Sequence, residues 1–390
     1  MAILGPVSRR TISVSPVVQK LRPPIAPSLP SLLEAPGSRF LMSRPRPRWS
    51  PPVEPEKPSV PYRKGFQFTA SRVQAPPPFL GRYAKVPTGP FLEFLDKHRC
   101  VSREFLHSTT LTDYCLATAS YPLPCTELGE TASFEVLEEL TVGDGGGRGR
   151  GSQVITCARH GTNDVLVAKV YDPLYYPFAD DDFPYMPNNV ILRAESDFTL
   201  ESAAYSQLDG KLGGSLIPKF YGSWLLWLPL KDVRRPVGFT LMELVKGVPL
   251  NALDPKHYTP QERLRVIALS MEAALEIRFA GVMHDDIAPR NIICSGKDFS
   301  APDFSIRVID FNFVTVFPLL GLRPPCDSEP LPESPIEWFW NSRPPDMRDW
   351  LPDGWRKGDE GRRLWNQWLK ETWAGTTRFK PAPEHLLNAE

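Results

Sequence analysis

The most constraining feature of the chain is a polar loop followed by a short apolar segment that ends in an acidic residue. The loop reads His-Asp-Asp-Ile-Ala-Pro-Arg-Asn over residues 284–291, and residues 306–312 read Ile-Arg-Val-Ile-Asp-Phe-Asn. The apolar residues before Asp310 predict a buried strand, and the loop carries Asp286 and Asn291. Carboxylate and amide oxygens are suitable magnesium ligands, and a carboxylate can also accept a proton. The pattern therefore predicts a site where the loop and the strand end meet.

The order and spacing of these residues resemble the protein-kinase-like superfamily. Kinases place a catalytic-loop aspartate, an asparagine shortly after it, and a second aspartate after the following strand. The resemblance implies that Asp286 is the catalytic base and that Asn291 and Asp310 bind magnesium. Each motif alone would also fit ordinary surface residues, because short motifs match by chance. The two motifs in this order favour the catalytic interpretation, and the likeness is closest to divergent fungal protein kinase-like domains.

A lysine and a glutamate upstream supply the other charges that such a site needs. Residues 164–171 predict a strand that carries Val-Ala-Lys with Lys169, and residues 198–208 predict a helix with Glu201 on its apolar face. Either charge is costly to bury without a partner. The kinase resemblance implies that Lys169 pairs with Glu201 and holds the nucleotide phosphates. For the tripeptide alone, a solvent-facing lysine is the alternative.

A glycine-rich segment, residues 143–152, lies between the first two predicted strands. Glycines let backbone N–H groups approach phosphate oxygens closely, although a glycine run is also typical of a flexible hairpin tip. Residues 242–245, Met-Glu-Leu-Val, resemble the kinase hinge that contacts adenine, with Met242 as the gatekeeper. The residues that the resemblance assigns to the nucleotide are Gly147, Gly149, Ser152, Val154, Ala168, Lys169, Met242, Glu243 and Val245.

The predicted elements indicate an α+β protein with a two-lobed protein-kinase-like fold. The small lobe is expected to be a five-stranded antiparallel sheet with one helix. Its strands are predicted at residues 134–141, 152–158, 164–171, 216–228 and 237–245. The large lobe is expected to be mainly helical and to begin with a helix whose capping box is Thr259 with Glu262. It should be truncated, because a chain of 390 residues leaves only 80 after position 310.

Three departures from the kinase pattern qualify the resemblance. Asp285 stands where many protein kinases have an arginine that reads a phosphorylated activation loop, so control of that kind is not expected. Ala288 replaces a lysine of serine/threonine kinases, and Arg290 could reach the transferring phosphate instead, which makes it a candidate catalytic residue. Asn312 replaces the glycine after the Asp-Phe pair, and no Ala-Pro-Glu element follows it closely, since the Ala-Pro-Glu at residues 382–384 lies near the end of the chain.

The chain divides by composition. The first 90 residues hold 19 of the 44 prolines, and the first 50 hold eight basic residues against one acidic residue, Glu34. Such a segment buries too little apolar surface to offset its chain entropy, so residues 1–90 are expected to be mostly disordered. Residues 91–129 are an N-terminal extension that could pack on the folded domain. Residues 130–376 are expected to form the kinase-like domain and residues 377–390 a tail.

Several classes of protein are excluded by composition. The six cysteines form no Cys-x-x-Cys pair, which argues against zinc and a disulfide framework and for a reducing, intracellular setting. The 45 basic and 45 acidic residues balance, so no nucleic-acid partner is expected. No apolar run is long enough to span a membrane. A cytoplasmic or nuclear location is expected, and the basic, acid-poor start of the chain leaves a mitochondrial location as the alternative.

The function that these residues favour is transfer of the terminal phosphate of ATP, with magnesium, to a hydroxyl group. A protein serine/threonine kinase is the first expectation, because the small lobe most resembles protein kinases. A small-molecule phosphotransferase of the aminoglycoside- or choline-kinase type would use the same residues and is the first alternative. The second is an interaction scaffold without catalysis, a pseudokinase whose proline-rich segment recruits partners.

Overall fold

The computed structural model describes residues 49–85, 88–145, 151–179 and 185–389. Its largest sheet is a closed antiparallel barrel with the strand order β1-β2-β3-β4-β6-β5. Closure means that, among the described residues, each barrel strand pairs with a neighbour on both sides. The barrel strands are β1 (Gln67–Gln74), β2 (Thr126–Thr141), β3 (Gln153–Arg159), β4 (Val165–Tyr171), β5 (Phe220–Leu230) and β6 (Val233–Glu243).

Strand β1 corrects two expectations. It adds a sixth strand to the five predicted, and it lies within the region predicted to be disordered, so that prediction is wrong for residues 49–85. The high proline content of the region obscures a proline-free stretch in which Phe68, Ala70 and Val73 are buried. The strand pairs with both β2 and β5 and closes the barrel. Residues 1–48 lie outside the described residues.

Three short helices lie between β1 and β2 and pack on the barrel. They are α1 (Pro90–His98), α2 (Arg103–Ser108) and α3 (Leu111–Ala119), and the side chains of Ser102 and Thr110 cap the second and third. Buried residues of these helices, including Tyr114, belong to the same apolar cluster as the barrel interior. The expected boundary between residues 129 and 130 falls inside β2. Because the helices share their apolar cluster with the barrel, the helices and the barrel form one packed unit.

Helix α4 (Val190–Leu212) follows β4, begins at the capping residue Asn189 and is longer than predicted. Its first half buries Ala194 and Phe198 in the barrel cluster. Its second half buries Tyr205 and Leu208 in a second apolar cluster, formed mainly by the C-terminal part of the chain. The helix therefore contributes to both halves of the core.

The C-terminal part of the chain contains short strands and helices around this second cluster. Helix α5 begins at the predicted capping box, in which Thr259 and Glu262 bond reciprocally. The strands form a three-stranded sheet, β10-β9-β7, and a two-stranded pair, β11-β8. The elements are β7 (Val248–Pro249), α5 (Pro260–Phe279), β8 (Val282–His284), β9 (Ile292–Cys294), β10 (Ile306–Val308), β11 (Val314–Val316), α6 (Pro335–Phe339), α7 (Gly358–Trp373) and α8 (Glu384–Leu387).

The predicted α+β class is confirmed by this mixture of an antiparallel sheet and helices. The two-lobed kinase arrangement stays a prediction. No helix among the described residues combines the length and the apolar character needed to cross a membrane.

Candidate functional site

Lys169 is the centre of a buried charge cluster. The strand β4 carries it, and its ammonium nitrogen contacts the Glu201 carboxylate and lies 2.6 Å from Oδ1 of Asp310. Glu201 comes from α4 and Asp310 from the segment that follows β10, so three distant parts of the chain meet here. Glu201 is fully buried and Lys169 is only 7% exposed. An ion pair this deeply buried must satisfy its remaining hydrogen-bonding groups, because desolvation of both charges is costly.

Further contacts satisfy the Glu201 carboxylate. The Tyr171 hydroxyl donates a hydrogen bond of 2.6 Å to Oε2, and the backbone N–H of Phe311 donates one of 3.3 Å to Oε1. Burial raises the pKa of Glu201, and the Lys169 ammonium opposes that shift. Burial by itself lowers the pKa of Lys169, but Asp310 and Glu201 outweigh it, so its pKa is raised. Lys169 is therefore a cation held by two carboxylates.

Asp310 has an unusual backbone conformation. Its φ of 68° lies in the left-handed region, which aspartate adopts more readily than most residues but still at a cost. The conformation allows the next residue, Phe311, to donate its N–H to Glu201 while the Asp310 side chain contacts Lys169. About a fifth of that side chain, 22%, is exposed. The backbone therefore presents a partly accessible carboxylate next to the buried ion pair.

The catalytic-loop candidates form a second cluster. The Asn291 side-chain nitrogen donates hydrogen bonds of 2.9 Å to Oδ2 and to the backbone oxygen of Asp286. The Arg290 guanidinium forms an ion pair with the other carboxylate oxygen of Asp286. Asp286 and Asn291 are both buried, at 7% and 2% exposure, whereas the Arg290 side chain is 47% exposed. The loop thus fixes the orientation of the Asp286 carboxylate from two sides.

His284 connects the two clusters. Its Nδ1 accepts a hydrogen bond of 3.2 Å from the backbone N–H of Asp286, and Nε2 lies 3.3 Å from the Ile309 carbonyl oxygen. The two contacts together require a neutral ring with its proton on Nε2. Ile309 in turn donates its N–H to the Asn291 carbonyl at 2.9 Å. The loop is thereby tied to the residue directly before Asp310.

The predicted nucleotide-binding residues lie in the glycine-rich segment, at the start of β3, on β4 and at the end of β6. Gly147 and Gly149 lie outside the described residues. Ser152 lies directly before β3, and Val154, within the strand, is directly opposite Lys169 in the register of β3 and β4. The described glycines at the ends of the segment, Gly145 and Gly151, have φ values of 83° and 96° and pack on Tyr176, where a Cβ atom at either position would overlap it.

Ala168 lies on the opposite face of β4 from Lys169. It is fully buried in the barrel cluster, and strand alternation turns it away from the face that carries Lys169. Val167 is in the second cluster beside Met242, its partner in the β4–β6 register. Because side chains alternate along a strand, Val167, two residues before Lys169, lies on the Lys169 face of β4, and Ala168 lies on the face that points into the barrel.

The hinge candidates lie at the end of β6. Met242 is buried, and its sulfur lies 3.6 Å from the Tyr205 hydroxyl. The N–H of Glu243 donates to the Lys219 carbonyl at 2.9 Å, and the Glu243 carboxylate accepts the Lys219 N–H at 3.0 Å. The N–H of Glu243 is therefore already bonded within the protein. Val245 is partly buried in the segment between β6 and β7.

The sequence motifs did not identify two residues that contact the site. Tyr171 donates to Glu201 and could have been found by its position two residues after Lys169, on the same strand face. The Arg82 guanidinium lies 3.2 Å from the carboxylate of Asp285. Asp285 is the residue directly before the catalytic-loop candidate Asp286. No local pattern indicated that contact, because 203 residues separate the two positions.

The oxygen ligands available at the site suit magnesium better than zinc. Within the described residues no group of three or more histidine, cysteine, aspartate or glutamate side chains could hold a metal ion. Magnesium usually takes one or two protein oxygens and completes its shell with water and phosphate. The Asp310 carboxylate and the Asn291 amide oxygen are groups of that kind.

Comparison with known proteins adds no assignment. A scan against protein-family models finds no match, and a search of curated proteins finds no similar sequence.

Proposed function

We propose that this protein is an ATP- and magnesium-dependent phosphotransferase with a two-lobed, kinase-like architecture, and that its favoured acceptor is a serine or threonine hydroxyl of a protein. The observation that carries the proposal is the contact of Lys169 with both Glu201 and Asp310. These groups lie 32 and 141 residues from Lys169 along the chain, and a kinase-like nucleotide site needs them together.

Lys169 and Glu201 would bind and orient the nucleotide. With Glu201 and Tyr171 holding its position, the Lys169 ammonium would contact the α and β phosphates and balance their charge. Lys169 also contacts Asp310, at 2.6 Å. That contact would loosen when phosphates compete for the ammonium, which leaves the Asp310 carboxylate available to a cation.

Asp286 would act on the acceptor. Its carboxylate would accept the hydroxyl proton as the oxygen attacks the terminal phosphate, a contribution of about 10² to 10⁴ in rate for a positioned base. Asn291 holds the carboxylate in place through its side-chain N–H. Arg290 pairs with the same carboxylate and is half exposed, so it could move to the transferring phosphate.

Magnesium would be held by Asp310 and the Asn291 amide oxygen, and when bound it supplies positive charge that neutralises the phosphates. The proposed setting is intracellular, in the cytoplasm or nucleus, with a mitochondrial location as the alternative. The cysteines fit a reducing compartment, because all six are free thiols.

A small-molecule acceptor is the second candidate, and one observation favours it. After Asp310, the described residues form strand β11, a few 3-10 turns and the helices α6, α7 and α8, and α7 is the only one of these three helices longer than five residues. Little structure is therefore present there to dock a protein substrate.

The test is a transfer assay with γ-labelled ATP. Generic protein substrates, aminoglycosides, choline and sugars would be offered side by side to wild type and to Asp286→Asn. The matched control is Asp353→Asn, since the Asp353 side chain is 91% exposed and remote in sequence from the site. Transfer by wild type and the control but not by Asp286→Asn supports the proposal, and the labelled acceptor decides its class. Wild-type signal equal to that of Asp286→Asn would instead indicate a scaffold.

A further inference from the structure

A short N-terminal turn, Gly81–Tyr83, contacts the loop that carries the proposed catalytic base. The Arg82 guanidinium lies 3.2 Å from Oδ2 of Asp285 and also donates to the Thr315 hydroxyl. The Thr315 hydroxyl donates to the same Asp285 oxygen at 3.1 Å. Arg82 therefore joins Asp285, the residue before Asp286, to strand β11.

Tyr83 fixes the other side of the same strand. Its hydroxyl accepts a hydrogen bond of 2.6 Å from the Val316 N–H and lies 3.3 Å from the Val314 carbonyl as donor. The side chain is only 2% exposed, so both bonds are shielded from water. Val314 pairs with His284 in the β11–β8 register, and His284 leads directly into the loop.

These contacts restrict the residue next to Asp286 from several directions. The Asp285 N–H donates to the Phe313 carbonyl at 3.1 Å, while Thr315 and Arg82 hold its carboxylate. The Asp285 side chain is 12% exposed, and a largely buried carboxylate needs a cation or several donors to stay ionised. Arg82 is the cation that contacts it.

We propose that Arg82 is a positioning residue, which with Tyr83 clamps the loop so that the Asp286 carboxylate is correctly placed for catalysis. The inference rests on the proposed function. Many kinases have an arginine where Asp285 stands and need an added phosphate to hold it. Here the charges are reversed, and the chain's own N-terminal segment supplies the cation, so alignment of the loop requires no phosphorylation.

The first test separates catalysis from nucleotide binding. Arg82→Met, Asp285→Asn and the double variant would be compared for kcat and for the Kd of magnesium-ATP. Displacement of a catalytic group by about 1 Å can cost 10²-fold, so we expect each single variant to lower kcat by about 10-fold or more. The Kd should change less than about 2-fold, because neither residue contacts the proposed nucleotide site.

The double variant shows whether the two residues act through their contact. If they do, the double variant should lose no more activity than the less active of the two single variants, because the effects of substitutions within one network are not additive. Arg82→Lys keeps the charge and should retain intermediate activity. The control is Arg63→Met. Arg63 is another arginine of the N-terminal segment and pairs with Glu139 of the barrel, so its loss should leave kcat unchanged. Full kcat in Arg82→Met, or losses that add in the double variant, would overturn the proposal.

A second readout does not depend on activity. Backbone hydrogen exchange of residues 284–291 should be faster in Arg82→Met than in wild type and Arg63→Met, because the clamp is released. If exchange is faster in Arg82→Met while the wild type transfers no phosphate, the result supports the clamp and counts against the proposed function alone. Unchanged exchange in Arg82→Met would reject the clamp even if the enzyme is active.

Discussion

At the scale of single residues, buried charge decides which side chains matter. Lys169, Glu201 and Asp310 satisfy each other in a place where an unpaired charge would be expensive. The same principle makes other buried acidic residues informative, since their protonation depends on what surrounds them. Asp197, one helical turn before Glu201 on α4, is partly buried and is a residue of this kind.

Asp197 is expected to make stability depend on pH. Burial raises its pKa to about 7, although Arg193, Lys169 and the Tyr176 hydroxyl, which donates to it at 3.2 Å, oppose the shift. The folded state therefore holds a proton that the unfolded state has lost above about pH 4. Stability due to this group falls as pH rises from about 4 to 7 and is constant above 7.

Asp197→Asn should remove that dependence. We expect the variant to gain on wild type as pH rises, reaching about 1 to 2 kcal/mol in the free energy of unfolding at pH 8, a value reduced because Asp197 is only partly buried. Urea unfolding at pH 4.5, 6 and 8 measures it, with Asp353→Asn as an exposed control. A difference that is the same at every pH would contradict the assignment.

At the scale of elements, the N-terminal strand β1 is part of the barrel core. Phe68 is buried and stacks on Phe134 of β2 with ring centroids 5.4 Å apart. Phe68→Ala should therefore lower the free energy of unfolding by about 3 kcal/mol, as other large-to-small core changes do. Val53→Ala, at a position 89% exposed, is the control and should change it little. Equal stability of the two variants in urea unfolding would show that β1 does not pack in the barrel.

Helix α4 is held by the N-terminal helices. The Arg99 guanidinium donates to both carboxylate oxygens of Glu195, at 2.6 and 2.7 Å, and Arg99 is 1% exposed. The Tyr114 hydroxyl donates to the side chain of Asn189, which caps the helix. These contacts fix the element that carries Glu201.

Loss of the Arg99 contact should lower the thermal stability of the protein. Arg99→Met leaves Glu195 buried without its cation, a kind of change that costs about 3 to 5 kcal/mol. Arg363→Met removes an exposed pair with Glu360 on α7 and should cost under about 1 kcal/mol. Thermal unfolding of both variants measures the difference. Similar melting temperatures would mean that the extension does not hold α4.

At the scale of the whole molecule, the sequence pattern predicted those features that depend on residues close together in the chain. The capping box of α5, the lysine strand and the glutamate helix follow from residue spacing, and the structure brings Lys169, Glu201 and Asp310 together. The side of the strand on which Val167 lies follows from alternation, yet motif matching assigned Ala168 instead. Contacts between remote segments, such as Arg82 with Asp285, have no local signal because chain folding alone brings them together.

Composition averaged over a long region was also a poor guide. The prolines of residues 1–90 describe the region as a whole, but closure of the barrel depends on eight residues, Gln67–Gln74, whose apolar side chains face inward. A strand of this kind gains its stability from β2 and β5, which lie far along the chain. Its presence therefore depends on tertiary pairing rather than on local composition.

The most direct test of the central claim is magnesium-dependent binding of ATP, measured by the shift in melting temperature of wild type and of Asp310→Asn. A ligand that binds only the folded state raises that temperature. The account predicts a clear rise for wild type with ATP and magnesium, a smaller rise with ATP alone, and loss of the magnesium effect in Asp310→Asn. No magnesium-dependent rise in wild type at millimolar ATP would contradict it.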